Sequence, residues 1–199
     1  TAGRTPLDVI QSIREHAFSY FSEPLDTEAV AHMIVRAAAA VNWEDGIEVL
    51  SALPEWISLR LRCRMMTADR LVQFFSEIRM ELPEQDRAAV ATAFREMLLN
   101  AIEHGGRFDP NQTVNVSRFR LNRAVIYLIQ DPGEGFSFAA LPHAAISNPP
   151  DSPGGHTVYR SRIRMRPGGF GLLMARNLVD ELIQNEKGNE VLFVKYLET

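Results

Sequence analysis

The stretch Phe94-Arg95-Glu96-Met97-Leu98-Leu99-Asn100-Ala101-Ile102-Glu103-His104-Gly105 closes the clearest helical pattern in the chain. That pattern starts at about Glu84, with Pro83, Glu84 and Asp86 as a good helix start and Gly105-Gly106 as a good stop. Val90, Ala93, Phe94, Met97, Leu98, Ala101 and Ile102 trace one apolar stripe along it. Glu96 and Asn100 are four residues apart, so at 100° per residue they lie about 40° from each other, on the flank of that stripe. A carboxylate and a carboxamide at such a border can face a pocket whose floor is the core. Asn oxygen is a Mg²⁺ ligand, and Glu can orient a nucleophile. Taken alone, a Glu-x-x-x-Asn pair reads as a solvated helix face.

Upstream of this helix, Ile57, Leu59, Leu61 and Cys63 alternate with Ser58, Arg60 and Arg62, the period-2 pattern of a half-buried strand. Residues 47–50 and 55–63 therefore read as strands, and residues 71–80 as a helix. Downstream, residues 114–119 and 124–130 read as antiparallel strands joined at Asn122, the second ended by Asp131-Pro132-Gly133. Six of the 11 prolines lie between Pro132 and Pro167, so that stretch reads as a long loop rather than core. Residues 170–183 read as an amphipathic helix and 191–196 as a final strand. At the other end, residues 8–16 read as helical, Phe18 to Phe21 as a short aromatic β-like run, and residues 26–41 as an alanine-rich helix that Asp26 or Thr27 can cap.

The chain has 199 residues, 46% hydrophobic and 23% charged, which is ordinary globular usage with enough length for a sizeable core. A net charge of −4 argues against a chain-wide polyanion-binding surface, and no nucleic-acid partner is expected. One cysteine, Cys63, cannot form an internal disulfide. No apolar stretch reaches the roughly 18 residues of a membrane span, and no signal peptide opens the chain. A cytoplasmic location without membrane attachment is the expectation. The start at Thr1 rather than Met reads as a trimmed fragment.

Two glycine-rich stretches flank the long loop. Asp131-Pro132-Gly133-Glu134-Gly135-Phe136 directly follows a strand. Its glycines allow tight turning and close backbone approach to a ligand, while a strand-end Asp is an acceptor suited to an amino group. An ordinary Asp-Pro-Gly turn is the plainer reading. Gly168-Gly169-Phe170-Gly171 sits directly before a helix, where free backbone N–H groups bind phosphate well. Its plainer reading is a flexible connection. No Gly-x-x-x-x-Gly-Lys-[Ser/Thr] occurs, which excludes a P-loop.

Taken in order and with these spacings, the three features are specific. The 94–105 stretch resembles the asparagine box of the GHKL ATPases, the superfamily of gyrase, heat-shock chaperone, histidine kinase and mismatch-repair ATPase domains. Asp131-x-Gly133-x-Gly135-Phe136 resembles the first glycine box, and Gly169-x-Gly171-Leu172 the second. The His-Gly ending of the asparagine box and the phrase from Gly169 to Leu182 most resemble the anti-sigma-factor serine/threonine kinases. The resemblance covers roughly residues 55–199. It implies an α+β fold, a two-layer α/β sandwich with a mixed or antiparallel sheet and helices on one face. It implies ATP and Mg²⁺, with Glu96 as catalytic base, Asn100 as the metal ligand and Asp131 as acceptor for the adenine amino group. By the same resemblance Gly133 and Gly135 shape the adenine side, and Gly169 and Gly171 approach the phosphates. His104 is either a phosphate contact or a packed, hydrogen-bonded histidine. The chemistry implied is phosphoryl transfer carried by positioning and charge stabilisation.

The segment from Ile13 to Leu25 with the helix after it resembles the last third of a response-regulator receiver domain. Two departures stand out: Glu23 occupies the position of the usual Lys before the proline, and the upstream phosphoacceptor aspartate is absent. The alternative is an unrelated helix–strand–helix extension. An organisation follows of a receiver-like remnant at 1–41, a linker or edge strand at 42–54, and the kinase domain at 55–199. As the end of a receiver, the short strand has lost its sheet neighbours, and Phe18, Tyr20, Ile34 and Val35 are expected to lack much of their burial. Such a strand either packs on its own kinase domain or pairs with a second chain, and a homodimer through residues 1–41 is the expectation. Arg160, Arg162, Arg164 and Arg166 alternate with Ser161, Ile163 and Met165, so an extended backbone would put all four on one side. They read as a solvated loop, or as an ATP lid or docking surface for an acidic partner.

The function expected from the resemblance is an ATP-dependent serine/threonine protein kinase of the anti-sigma type. Its partners would be an anti-anti-sigma (STAS-type) protein and a sigma factor, and it would regulate transcription by partner switching. The rivals are a non-catalytic, nucleotide-responsive binding module and the ATPase domain of a histidine kinase. Against the latter, no helical hairpin with a phosphoacceptor histidine lies upstream, and His16 and His32 are poorly placed for one.

Overall fold

Alternation of apolar and polar side chains builds the sheet. The computed structural model describes residues 5–40, 45–78, 82–136, 144–149, 151–162 and 169–197. In β2 (Trp56–Arg62) the side chains of Ile57, Leu59 and Leu61 are buried on one face, while Arg60 and Arg62 are exposed on the other. The same alternation continues through β3 (Thr113–Leu121) and β4 (Ala124–Gln130), and β1 (Ile47–Leu53), β5 (Glu181–Gln184) and β6 (Glu190–Tyr196) complete the set of strands. The six strands form one sheet in the order β1-β2-β3-β4-β6-β5. Every neighbouring pair is antiparallel, which narrows the expected mixed or antiparallel sheet to the second. The fold is α+β.

The buried face of the sheet lies under α1 (Pro6–Arg14), α3 (Met65–Glu77), α4 (Glu84–Asn100) and α6 (Gly171–Leu178), whose apolar residues share one core with it. A chain of aromatic rings ties the layers together. Phe75 of α3 stacks on Phe94 of α4 at 5.1 Å, Phe94 meets Tyr127 of β4 at 5.1 Å, and Tyr127 stacks on Phe193 of β6 at 4.9 Å. All seven residues of the α4 apolar stripe are buried, through Ala101 and Ile102 beyond its end. No helix among the described residues is long and apolar enough to cross a membrane.

Four local expectations are corrected. The helix expected from Leu71 begins at Met65, because Thr67 and the buried cation Arg70 interrupt the apolar pattern while facing the core. The helix expected over 170–183 ends at Leu178. The Asp180 N–H then donates to Val194 O, and Glu181–Gln184 pair with β6 as the sheet edge. Pairing with a strand close in sequence outweighs a helical periodicity that Leu182 and Ile183 fit equally well. The long proline-rich stretch holds a 3₁₀ turn (Ala145–Ser147) and α5 (Gly155–Arg162). Arg160 and Arg162 thus lie in a helix, not in an extended run, while Arg164, Arg166 and Gly168 lie outside the described residues.

The fourth correction concerns Phe18–Phe21, which forms no strand. Side chains of α3 satisfy its backbone instead. Arg70 donates through Nε to Phe18 O (3.0 Å) and through Nη2 to Ala17 O (2.6 Å), and its Nη1 meets Asp45 Oδ1 at 3.0 Å. Gln73 donates to Tyr20 O, and Glu77 accepts from the Ser22 N–H and hydroxyl at 2.9 and 2.6 Å. Backbone groups bound this way offer no free strand edge. Val9, Ile10 and Ile13 of α1 and Tyr20 are buried in the common core. The expectation that Tyr20 lacks burial is therefore wrong, whereas Ile34 and Val35 on α2 (Thr27–Ala39) are 62% and 67% exposed. Asp26 caps α2, accepting from the N–H groups of Glu28 and Ala29.

Candidate functional site

At the end of α4 the hydrogen-bonding pattern widens to a π turn over Ala101–Gly105, with the Gly106 N–H donating to Ala101 O at 2.8 Å. Such widened turns cluster at functional sites. Close approach explains this one. A methyl at Gly105 would lie 2.3 Å from Asp131 Cγ, and one at Gly106 would lie 2.1 Å from Cys63 Sγ. Only glycine at both positions lets the turn reach β4 on one side and the end of β2 on the other. Arg107 and Phe108, with φ of 53° and 54°, then reverse the chain in the left-handed region.

Asp131 ends β4 and is held from three directions. Its N–H donates to Asn189 O (2.9 Å), its O accepts from Asn189 Nδ2 (3.0 Å), and its Oδ1 accepts from the Gly133 N–H (2.8 Å). Gly133 is locked between this carboxyl and Gly105, since a methyl there would lie 2.8 Å from Asp131 Oδ1 and 3.1 Å from Gly105 Cα. Burial pushes the Asp131 carboxyl above its ordinary pKa, and the Gly133 N–H and the charge of Lys187 pull partly the other way. The result is a partly buried acceptor whose backbone and one carboxyl oxygen are fixed.

Gly135 does something else. With φ of 86°, it lies against the turn between β5 and β6, where a methyl would fall 1.9 Å from Lys187 O. Next to it the Phe136 N–H donates to Gly188 O (3.1 Å) and Phe136 O accepts from Gln184 Nε2 (2.6 Å). Asn185 organises that turn, its Oδ1 accepting from the N–H groups of Gly188 and Asn189. Sequence reading missed Gln184, Asn185, Gly188 and Asn189 as supports of the first glycine stretch. The signal was an Asn and a Gly between Ile183 and Val191, a hairpin pattern hidden once residues 170–183 are read as helix.

The second glycine stretch meets the other flank of α4. Gly169, with φ of 93°, accepts at its O from the Ala145 N–H (2.7 Å), and Gly171 opens α6. A methyl at Gly171 would lie 2.5 Å from Glu96 Oε2, so the Glu96 carboxylate stands directly at the start of α6. Glu96 is only a quarter exposed, and Arg95 Nη1 approaches its Oε1 to 3.6 Å. One turn on, Asn100 Nδ2 is shut off from solvent and has no hydrogen-bond partner among the described residues. His104 is exposed on the π turn, so the packed alternative is not the one found. The structure thus gathers Glu96, Asn100 and Gly171 at one end of the site and Gly105, Asp131 and Gly133 at the other, with α4 between them.

Residues 61–195 match the model of the histidine kinase-like ATPase domain. The chain belongs to the histidine kinase-like ATPase family. Serine-protein kinase RsbW of Bacillus subtilis (strain 168) is 26% identical to it over 158 residues, 78% of this chain and 88% of that relative. The family match runs from β2 to β6 and includes every site residue named above.

Proposed function

We propose that this histidine kinase-like ATPase is a protein serine/threonine kinase of the anti-sigma type. It transfers phosphate from ATP to a small STAS-type anti-anti-sigma protein and binds a sigma factor or its equivalent, so that phosphorylation switches partners. The observation that carries the reading is the double contact of α4, with Glu96 against Gly171 and Gly105 against Asp131. One rigid helix thereby sets the spacing between a base beside phosphate-binding N–H groups and an acceptor suited to adenine. Similarity to a relative described as a serine-protein kinase supports serine as the receiving residue.

In this reading Asp131 accepts from the adenine amino group, and the supports of its backbone keep it from turning away. Gly171 and the free N–H groups at the start of α6 hold the phosphates. Glu96 takes the proton of the attacking serine hydroxyl as the new O–P bond forms and the bond to ADP breaks. Asn100 fits a Mg²⁺ ion. Its buried amide lacks a partner and either end of it can be turned to that position, so the oxygen can serve as ligand. Among the described residues no group of three or more His, Cys, Asp or Glu side chains can hold a metal, which suits an ion that keeps waters and phosphate oxygens as its other ligands. When bound, that ion supplies charge neutralisation at the phosphates.

The test is incubation with Mg·ATP and a candidate STAS-domain protein, read by mass spectrometry for a phosphorylated serine or threonine. Transfer that Glu96→Gln abolishes supports the proposal. Nucleotide binding without transfer to any such partner would leave the non-catalytic module.

A further inference from the structure

Between the two glycine stretches lies a buried histidine that the reading above does not use. His156 is the second residue of α5 and is fully buried. Asn148 holds it: Asn148 Oδ1 accepts from the His156 backbone N–H (2.9 Å), and Asn148 Nδ2 lies 2.6 Å from both Pro153 O and His156 Nδ1. These contacts settle the chemistry of the ring. The amide oxygen must face the backbone N–H and the amide nitrogen must face Pro153 O, so the group next to His156 Nδ1 is a donor. His156 Nδ1 is then the acceptor, and the ring proton sits on Nε2. That Nε2–H is buried with no partner among the described residues. A buried donor without an acceptor is destabilising, and a ligand oxygen would satisfy it.

The place of this orphan donor points to the ligand. The imidazole stands edge-on to the Phe170 ring, 4.5 Å between centroids and 89° between planes. Phe170 is the residue before α6, its neighbour Gly171 touches Glu96, and its own ring is half exposed. A turn of that half-exposed ring would open the imidazole toward the start of α6. We propose that His156 binds nucleotide, its Nε2–H donating to an oxygen of the terminal phosphate. The inference rests on the nucleotide-binding reading above and extends it to a contact from the segment between the glycine stretches. His156 then distinguishes the triphosphate from the diphosphate.

The experiment compares wild type, His156→Phe and His156→Gln in calorimetric titrations with ATP and with ADP, each with Mg²⁺. Phe keeps the packing on Phe170 and removes the donor, whereas Gln can present an N–H close to the same point. The expected result is a loss of roughly 10-fold or more in ATP affinity for His156→Phe, as for a hydrogen bond to a charged group, with ADP unchanged and His156→Gln near wild type. Equal losses for ATP and ADP, or no loss, would overturn the contact while leaving nucleotide binding in place. A wild type that binds neither nucleotide overturns the underlying reading as well. Nitrogen NMR of wild-type His156 needs no variant. A change at Nε2 with ATP and none with ADP supports the contact, and an Nε2 indifferent to ATP refutes it.

Discussion

Gly105 stands directly on the carboxyl group of Asp131, so close that a single added methyl would lie 2.3 Å from its Cγ. The contact joins the end of the asparagine-box helix to the end of β4, and Gly133 closes it from the far side, where an added methyl would lie 3.1 Å from Gly105 Cα. The direction of the Asp131 carboxyl is therefore set by backbone on two sides.

Gly105→Ala is expected to displace that carboxyl and weaken ATP binding by roughly 10-fold or more, since overpacking typically costs about 1–3 kcal/mol. Fluorescent-nucleotide titration reads the effect. An unchanged affinity would detach Asp131 from adenine recognition.

Asp131→Asn separates stability from function. Burial raises the folded-state pKa of this carboxyl above its ordinary value of 3.8. Its contribution to stability is therefore present below that value and lost as pH rises through the raised one. At neutral pH the ionised side chain is a cost, and Asn, which can still accept from the Gly133 N–H, removes it. The ligand-free melting temperature should rise at pH 7, by a few degrees if about 1 kcal/mol is recovered, and the gain should vanish below about pH 4. ATP affinity should fall roughly 10- to 100-fold. A variant that melts at or below the wild-type temperature at pH 7 would contradict the burial argument.

On α4 the two polar residues should fail differently. Glu96→Gln is expected to lower turnover by roughly 10²–10⁴ and to leave ATP affinity nearly intact, because base catalysis acts only in the transition state. Asn100→Ala should bind ATP with an affinity that no longer responds to Mg²⁺, measured by titration with and without the ion. Ligand-free melts that drop for both variants, with no change in either nucleotide property, would return the pair to a solvated helix face.

The first helix packs in the same core as the sheet. Ile10 is 1% exposed among core residues, and Ile10→Ala should destabilise the protein by about 2–5 kcal/mol in urea denaturation. Removing residues 1–22 strips Val9, Ile10, Ile13 and Tyr20 from that core and leaves Arg70 buried without its carbonyl partners. The shortened chain should fail to show a cooperative transition. A truncated protein that melts like wild type would make the segment a dispensable appendage.

Cys63 reports on the same core. Burial, with Asp109 and Asp131 nearby, pushes its thiol up to about 11, so the native protein should resist alkylation at pH 8 and react only as it unfolds. Rapid native labelling would mean that the π turn over Cys63 opens without global unfolding.

Elements whose signal is local were legible in the sequence. The alternation of Ile57, Leu59 and Leu61 marked β2, and the stripe from Val90 to Ile102 marked α4 together with its inward face, because periodicity records which side chains leave water. The order of Glu96, Asn100, Asp131, Gly133, Gly169 and Gly171 along the chain likewise pointed to the family that residues 61–195 match.

Pairings between distant segments were decided elsewhere. Leu182 and Ile183 fit a helix or a strand, and only hydrogen bonding to β6 selected the strand. Phe18–Phe21 has the residues of a strand, yet Arg70 and Gln73 bind its backbone first. The contacts of Gly105 with Asp131 and of Gly171 with Glu96, like the orphan donor of His156, span residues far apart in sequence. A sequence read alone determines which residues seek burial and which can turn. Which of them meet depends on the three-dimensional competition for partners, in which each buried polar group must be satisfied and each added methyl must find room.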